Sequence, residues 1–153
     1  METVLSQLIL EEHESSCTLI FALGATARKY FENDLQSSTG TISSVRAMMN
    51  ARNQIKVLFL NKLRYLHMYL TKFEVNEGNE KLSFENLIIY GLDEALELDR
   101  DVLTAPQLRL ANLIYNVAFK VKGRYQIEIQ FVPSRQVPCD DLSRLEQYWR
   151  EIG

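Results

Sequence analysis

The sequence predicts an α+β protein, mostly helical, in which a long antiparallel helical hairpin precedes a small α/β domain. Apolar residues recur at helical spacing along two long stretches, residues 3–35 and 45–73, with a break rich in serine and threonine between them. A polar, glycine-containing linker follows at residues 76–81. Beyond it, residues 106–131 change from helical spacing to strict alternation, which indicates a helix followed by a strand.

The two long helices predict a hairpin that dimerises. In the first, Leu5, Ile9, Ile20, Leu23, Ala27 and Phe31 share one side, and Gly24 marks a kink or a close helix contact. The second is apolar over a wider surface, with a seam formed by Ile55, Phe59, Leu63, Leu66, Leu70 and Phe73. One partner helix could not cover that surface, so we expect two hairpins to pair as a homodimeric four-helix bundle.

The predicted domains are residues 1–75, the hairpin, and residues 82–153, the small α/β domain. In the second, short strands are expected at 82–84 and 102–104, with a helix at 86–98 between them. Pro106 suits the first turn of the next helix, and a strand follows it from Tyr125 to about Val132. After a loop marked by Pro133 and Pro138, Asp140 or Asp141 caps a terminal helix.

Composition excludes several classes of function. The formal net charge of −3 argues against a general nucleic-acid binder, which would show a basic face. The two cysteines, Cys17 and Cys139, have no paired spacing, so neither a disulfide framework nor a zinc site is indicated. No apolar run approaches the roughly 18 residues of a membrane span, and the acidic N-terminus is unlike a signal peptide. We therefore expect a cytoplasmic protein without a membrane segment, metal or cofactor.

A family resemblance starts at two asparagines that share one helix face. Asn112-Leu-Ile-Tyr-Asn116-Val117, with Lys120 one turn on, resembles the N-box of the histidine-kinase ATPase fold. In that family these residues hold the magnesium and phosphates of ATP. The first predicted helix also contains His13-Glu14, and the hairpin of this family carries its phospho-accepting histidine, followed by an acidic residue, early in the first helix.

The resemblance implies a phosphorelay protein of the histidine phosphotransferase type, in which His13 exchanges phosphate with a receiver domain and Glu14 orients the ring or accepts its proton. The glycine cluster of the ATP lid is missing, since only Gly123 and Gly153 follow Asn116. Asn112, Asn116 and Lys120 are then candidate remnants of a nucleotide site, and no cofactor is expected. The implied partners are a receiver domain or a kinase.

Other interpretations remain open from the residues alone. A lone histidine at the edge of an apolar stripe is more commonly a surface or bundle-rim residue than a nucleophile, and His67 is more commonly packed than reactive. The asparagines equally suit a structural role. The alternative function is therefore a non-catalytic adaptor, inhibitor or assembly subunit that binds a protein partner. Whether the chain is an enzyme stays open, although it has no metal-ligand cluster, phosphate loop or nucleophile elbow.

Overall fold

The structure, a computed structural model, describes residues 1, 3–4, 17–34, 55–76, 82–98 and 102–152. The strands are β1 (Thr18–Leu23), β2 (Ile55–Leu60), β3 (Asn86–Tyr90) and β4 (Glu128–Val132). The helices are α1 (Gly24–Lys29), α2 (Leu63–Val75), α3 (Leu92–Ala95), α4 (Ala105–Tyr125) and α5 (Asp140–Ile152). A π-helical turn, Tyr30–Asp34, continues α1.

The strands form one parallel sheet in the order β2-β1-β3-β4. In its register, Ile20 of β1 lies between Val57 of β2 and Ile88 of β3, and Ile88 in turn pairs with Gln130 of β4. Parallel strands need crossover connections, and the helices of those crossovers cover the sheet. This is why β1 and β3, the two inner strands, are apolar on both faces.

Each face of the sheet has its own apolar core. The larger core lies between the sheet and helices α2 and α4, and α5 packs on its margin through Leu142, Leu145 and Trp149. The smaller core lies on the opposite face, where Ala27 of α1 and Phe31 of the π-helical turn contact Ile20, Ile88 and Tyr90. The molecule is thus a layered α/β domain with its sheet in the middle.

The predicted α+β fold with a leading helical hairpin and four-helix bundle is wrong. Residues 18–23 and 55–60, expected inside the two long helices, are strands β1 and β2. A short, continuous apolar run suits a buried strand as well as a buried helix, and periodicity does not separate the two. Leu66 and Leu70 of α2, two of the six seam residues from which a homodimer was predicted, are fully buried in the core of the same chain.

The second half of the chain was predicted more accurately. The helix around Pro106, the strand after it and the terminal helix are present as α4, β4 and α5, although the strand expected from Tyr125 begins only at Glu128 because α4 extends to Tyr125. The helix expected at 86–98 is wrong, because β3 occupies its first half, and 82–84 and 102–104 are not strands. Strands from both sides of the expected linker at 76–81 share the one sheet.

Within the described ranges, no helix combines the length and the apolar character needed to cross a membrane.

Candidate functional site at the carboxyl end of the sheet

The candidate site lies where the chain leaves β1 and β3. In an open parallel sheet, ligands bind at the carboxyl ends of two neighbouring strands whose connections leave toward opposite faces. Here the connection after β1 packs on the smaller core through Ala27, whereas the connection after β3 packs on the larger core through Leu92 and Leu96. The β1–β3 boundary is therefore the switch point of this fold.

Gly91 brings the ends of three strands together at this point. Its backbone has a φ of 93°, in the left-handed region that glycine adopts without strain. A Cβ built on Gly91 would lie 2.4 Å from the carbonyl oxygen of Leu23 at the end of β1. Its N–H donates to the carbonyl oxygen of Val132 at the end of β4, at 3.0 Å. Backbone thus fills part of the space in which a ligand would lie.

The side chain of Glu94 lies against the start of α1. Its carboxylate accepts hydrogen bonds from the backbone N–H of Ala25 at 3.1 Å and of Thr26 at 3.2 Å. Gly24, at a φ of 82°, makes room for it, since a Cβ there would lie 3.0 Å from the Glu94 carboxyl carbon. Exposed N–H groups at a helix start attract anions, and in nucleotide-binding folds they hold phosphate. In this protein the anion is supplied by the chain itself.

Asp93, the residue before Glu94, fastens the loop that follows β4. It is 2% exposed, and one carboxylate oxygen accepts from the N–H of Ser134 at 3.0 Å and from the Ser134 hydroxyl at 2.8 Å. The other oxygen accepts from the N–H of Arg135 at 3.0 Å. Donated hydrogen bonds of this kind stabilise a buried carboxylate, so Asp93 is a structural anchor.

The chemistry available at this edge is therefore limited. Both carboxylates accept hydrogen bonds from backbone N–H groups, which leaves neither placed to move a proton on a substrate. In the part of the chain that the structure describes, no three His, Cys, Asp or Glu side chains come together to hold a metal ion. At this edge the two carboxylates therefore bind backbone groups of the chain itself, Glu94 at the start of α1 and Asp93 in the loop after β4.

The residues singled out in the sequence lie elsewhere. His13 and Glu14 fall outside the described residues. Asn112 accepts a hydrogen bond from the indole Nε1–H of Trp149 in α5 at 2.9 Å, whereas Lys120 pairs with Glu74 of α2 at 3.6 Å.

Asn112 and Lys120 therefore each contact a different helix, α5 and α2. Asn116, between them, is half-buried. A nucleotide role for these three residues stays a prediction.

Sequence reasoning missed Gly91, Asp93 and Glu94, although a signal was present. The apolar run Leu87–Tyr90 is followed by Gly91, Leu92 and two acids, which is typical of a buried strand ending in a turn. Reading residues 86–98 as one helix concealed this pattern.

A second surface feature was also missed. An open groove of about 470 Å³, which we call the α2–α4 groove, lies between the start of α2, the second and third turns of α4 and the end of α3. It is lined by Leu63, Arg64, His67, Ala95, Leu96, Glu97, Leu110, Leu113 and Ile114. Leu110 and Leu113 are exposed, although a helix that packs on the core with one face usually has polar residues outside that face.

Comparison with known proteins gives a family. The sequence model described as "Suppressor of HU sensitivity involved in recombination protein 1" matches residues 2–153. A protein of that description from Saccharomyces cerevisiae is 30% identical over 141 residues, which cover 92% of this chain and 87% of the relative. The resemblance to histidine kinases and phosphotransferases is therefore wrong, and so is the phosphorelay function drawn from it. Two asparagines spaced along an apolar helix are too common a pattern to identify that family.

Proposed function

We infer the function from the fact that this chain belongs to the family described as suppressor of HU sensitivity involved in recombination protein 1. We propose that it serves DNA recombination as a non-catalytic subunit that acts by binding another protein. This is the adaptor or assembly role that the sequence left open as the alternative to phosphotransfer. A receiver domain or a kinase as partner has no basis once the phosphorelay family is excluded.

The observation that carries the proposal is the carboxylate of Glu94 on the N–H groups of Ala25 and Thr26. In doubly wound folds this is where a phosphate group would lie. A phosphate entering here would meet a negative charge and would have to displace hydrogen bonds already made. ATP-driven activity is therefore disfavoured, and we propose that the protein acts by binding a partner through its surface.

The exposed surface supports a binding role. Leu110 and Leu113, at 45% and 49% exposure, lie one turn apart on α4 and line the α2–α4 groove. Single exposed leucines are ordinary, but neighbouring leucines on the wall of an apolar groove are typical of a protein-binding surface. They are presented by a helix that is itself fixed on the sheet through Ile114 and Ala118, both buried.

The proposal also concerns location. A protein that serves recombination acts on chromosomal DNA, so we propose a nuclear location in place of the cytoplasmic one predicted from the sequence. The acidic net charge of −3 supports contact with the DNA through the partner instead of directly.

Two measurements test the function together. Deleting the gene in its own organism should lower the frequency of recombination between direct repeats, and a plasmid copy should restore it. The purified chain should neither bind nor hydrolyse ATP with Mg²⁺, and a tagged chain should co-purify with another protein at near-equal amounts. An unchanged recombination frequency, or ATP turnover by the purified chain, would contradict the proposal.

A further inference from the structure

The α2–α4 groove combines an apolar floor with apolar walls. Leu96 and Ile114, at 4% and 1% exposure, form the floor, and Leu110 and Leu113 form the wall on the α4 side. Its volume of about 470 Å³ is within the range of sites that bury a ligand's side chains. An apolar side chain placed between Leu113 and Leu63 would contact apolar groups on both sides of the groove.

The groove is preformed, because Gln107 holds its end in place. The side-chain Nε2–H of Gln107 donates to the carbonyl oxygens of Leu96 and Glu97, each at 3.0 Å. The side-chain oxygen of Gln107 also accepts from the backbone N–H of Thr104, and the backbone N–H of Gln107 donates to the Thr104 hydroxyl. These bonds join α3 to the start of α4, so a ligand would not have to order the groove when it binds.

The rim of the groove is basic although the whole chain is acidic. Arg64 lines the groove. The exposed Lys62 directly precedes the lining residue Leu63, and the exposed Arg109 lies four residues, or one helical turn, before the lining residue Leu113. Among the described residues, none of these three side chains has an ion-pair partner. Glu97 is the one acidic side chain in the lining. The rim therefore favours a partner that carries carboxylates.

We propose that the α2–α4 groove binds an amphipathic helix of a partner protein, with an apolar stripe that enters the groove and carboxylates beside the stripe that face Arg64 and Arg109. The inference rests on the proposed function and names the surface and the partner chemistry. Helices that dock in grooves present apolar side chains at i, i+3, i+4 and i+7, and charges beside that stripe fix the orientation.

Two other occupants fit less well. DNA phosphates could pair with the basic rim. They would also lie over the apolar side chains of Leu110 and Leu113, which offer no hydrogen bonds to a phosphate. A second copy would have to offer an acidic helix with a free apolar stripe. Of the described helices, α5 is the acidic amphipathic one, and its Leu142, Leu145 and Trp149 already pack against the core.

The test uses two display libraries of helical peptides of about 18 residues, or five turns. Both have randomised apolar residues at the stripe positions, and the flanking positions carry glutamate in one library and lysine in the other. The purified chain should enrich the glutamate library. Fluorescence anisotropy should then show that Leu113→Asp weakens the selected peptides by about tenfold or more, since it places a charge in the apolar wall.

Matched variants give the controls. Leu108→Asp changes the same residue type at similar exposure on the same helix, but Leu108 lines a separate cavity beside α5, so binding should be unchanged. The double variant Arg64→Glu with Arg109→Glu should reverse the preference and enrich the lysine library. Circular dichroism verifies that each variant folds.

Enrichment of neither library, an equal loss for Leu108→Asp, or tighter binding of a random-sequence DNA duplex than of any peptide would overturn the proposal. If the tagged chain still co-purifies with a protein when Leu113→Asp is present, the groove is excluded and the binding function stands. If no protein co-purifies with the wild-type chain, the proposed function itself fails.

Discussion

Asp93→Asn tests how much the Asp93 carboxylate stabilises the fold by holding the loop after β4. The carboxylate accepts hydrogen bonds from the N–H of Glu94 and from Ser134 on one oxygen, and from the N–H of Arg135 on the other. Asparagine has the same shape, but its amide nitrogen must replace one oxygen and would then face a donor. The replacement therefore loses at least one hydrogen bond and weakens the rest.

The expected magnitude follows from these contacts. Losing a hydrogen bond to a charged group costs about 1.5–3 kcal/mol, and neutral acceptors bind the remaining donors about half as strongly. Against this, a neutral amide is less costly to bury than a carboxylate at 2% exposure. We expect Asp93→Asn to lower the free energy of unfolding by about 1–3 kcal/mol on balance.

Urea unfolding followed by the fluorescence of Trp149, the one tryptophan in the chain, measures this difference. Glu128→Gln is the matched control, because it removes the same charge from a side chain that is 76% exposed and pairs with Lys122 at the surface. That control should change stability by about 0.5 kcal/mol or less. An Asp93→Asn variant as stable as the wild type would refute the view that this carboxylate anchors the loop after β4.

Three further variants test neighbouring features. Glu94→Gln should cost about 0.5–1.5 kcal/mol in the same urea assay, because a neutral amide replaces the carboxylate at the start of α1, and it should create no ATP binding. Gly91→Ala should cost about 3 kcal/mol or more, since its Cβ would meet the Leu23 carbonyl at a positive φ, whereas Gly123→Ala in α4, with open space around it, should stabilise by up to about 1 kcal/mol. Both are measured by thermal melts. Burial raises the pKa of Tyr115 above the usual 10.0, because the buried phenol resists ionisation. The contribution of Tyr115 to the free energy of unfolding is therefore complete below pH 10 and falls as the pH rises further, since only the unfolded chain ionises readily. At pH 11 the wild type should have lost about 1.4 kcal/mol relative to Tyr115→Phe, and equal pH profiles for the two proteins would contradict this.

The elements that the sequence predicted correctly are those with a long, clear period. α4 extends over 21 residues with a Pro106 start and a Thr104–Gln107 capping box, and β4 alternates because it is an edge strand with Gln130 exposed. Both signals are local, so no tertiary information was needed to find them.

The elements that were missed depend on tertiary burial. β1 and β3 are covered on both faces, and their apolar runs therefore lack the alternation that identifies a strand. Gly24 and Gly91, which end these strands at positive φ, were the available local markers. A kink or a close helix contact at Gly24 fits a continuous helix equally well, so this marker alone does not reveal β1, one of the two inner strands.

The candidate site shows the same limit. Asparagine is uncommon on an apolar helix, and the structure explains Asn112 by the hydrogen bond that it accepts from the Trp149 indole, 37 residues further along the chain. Nothing in the local sequence indicates that pairing. The pairing of Glu94 with Ala25 and Thr26 spans 69 and 68 residues and is equally hidden.

The strand order has a consequence for how the chain folds during its synthesis. β1 leaves the ribosome first, yet both of its neighbours come later, β2 ending at Leu60 and β3 at Tyr90. Until those segments emerge, an apolar strand with two unpaired edges has nothing to pair with, and pairing of distant parallel strands is slow. A nascent chain in this state is prone to aggregate, which makes the early capture of β1 by a chaperone an advantage for this family.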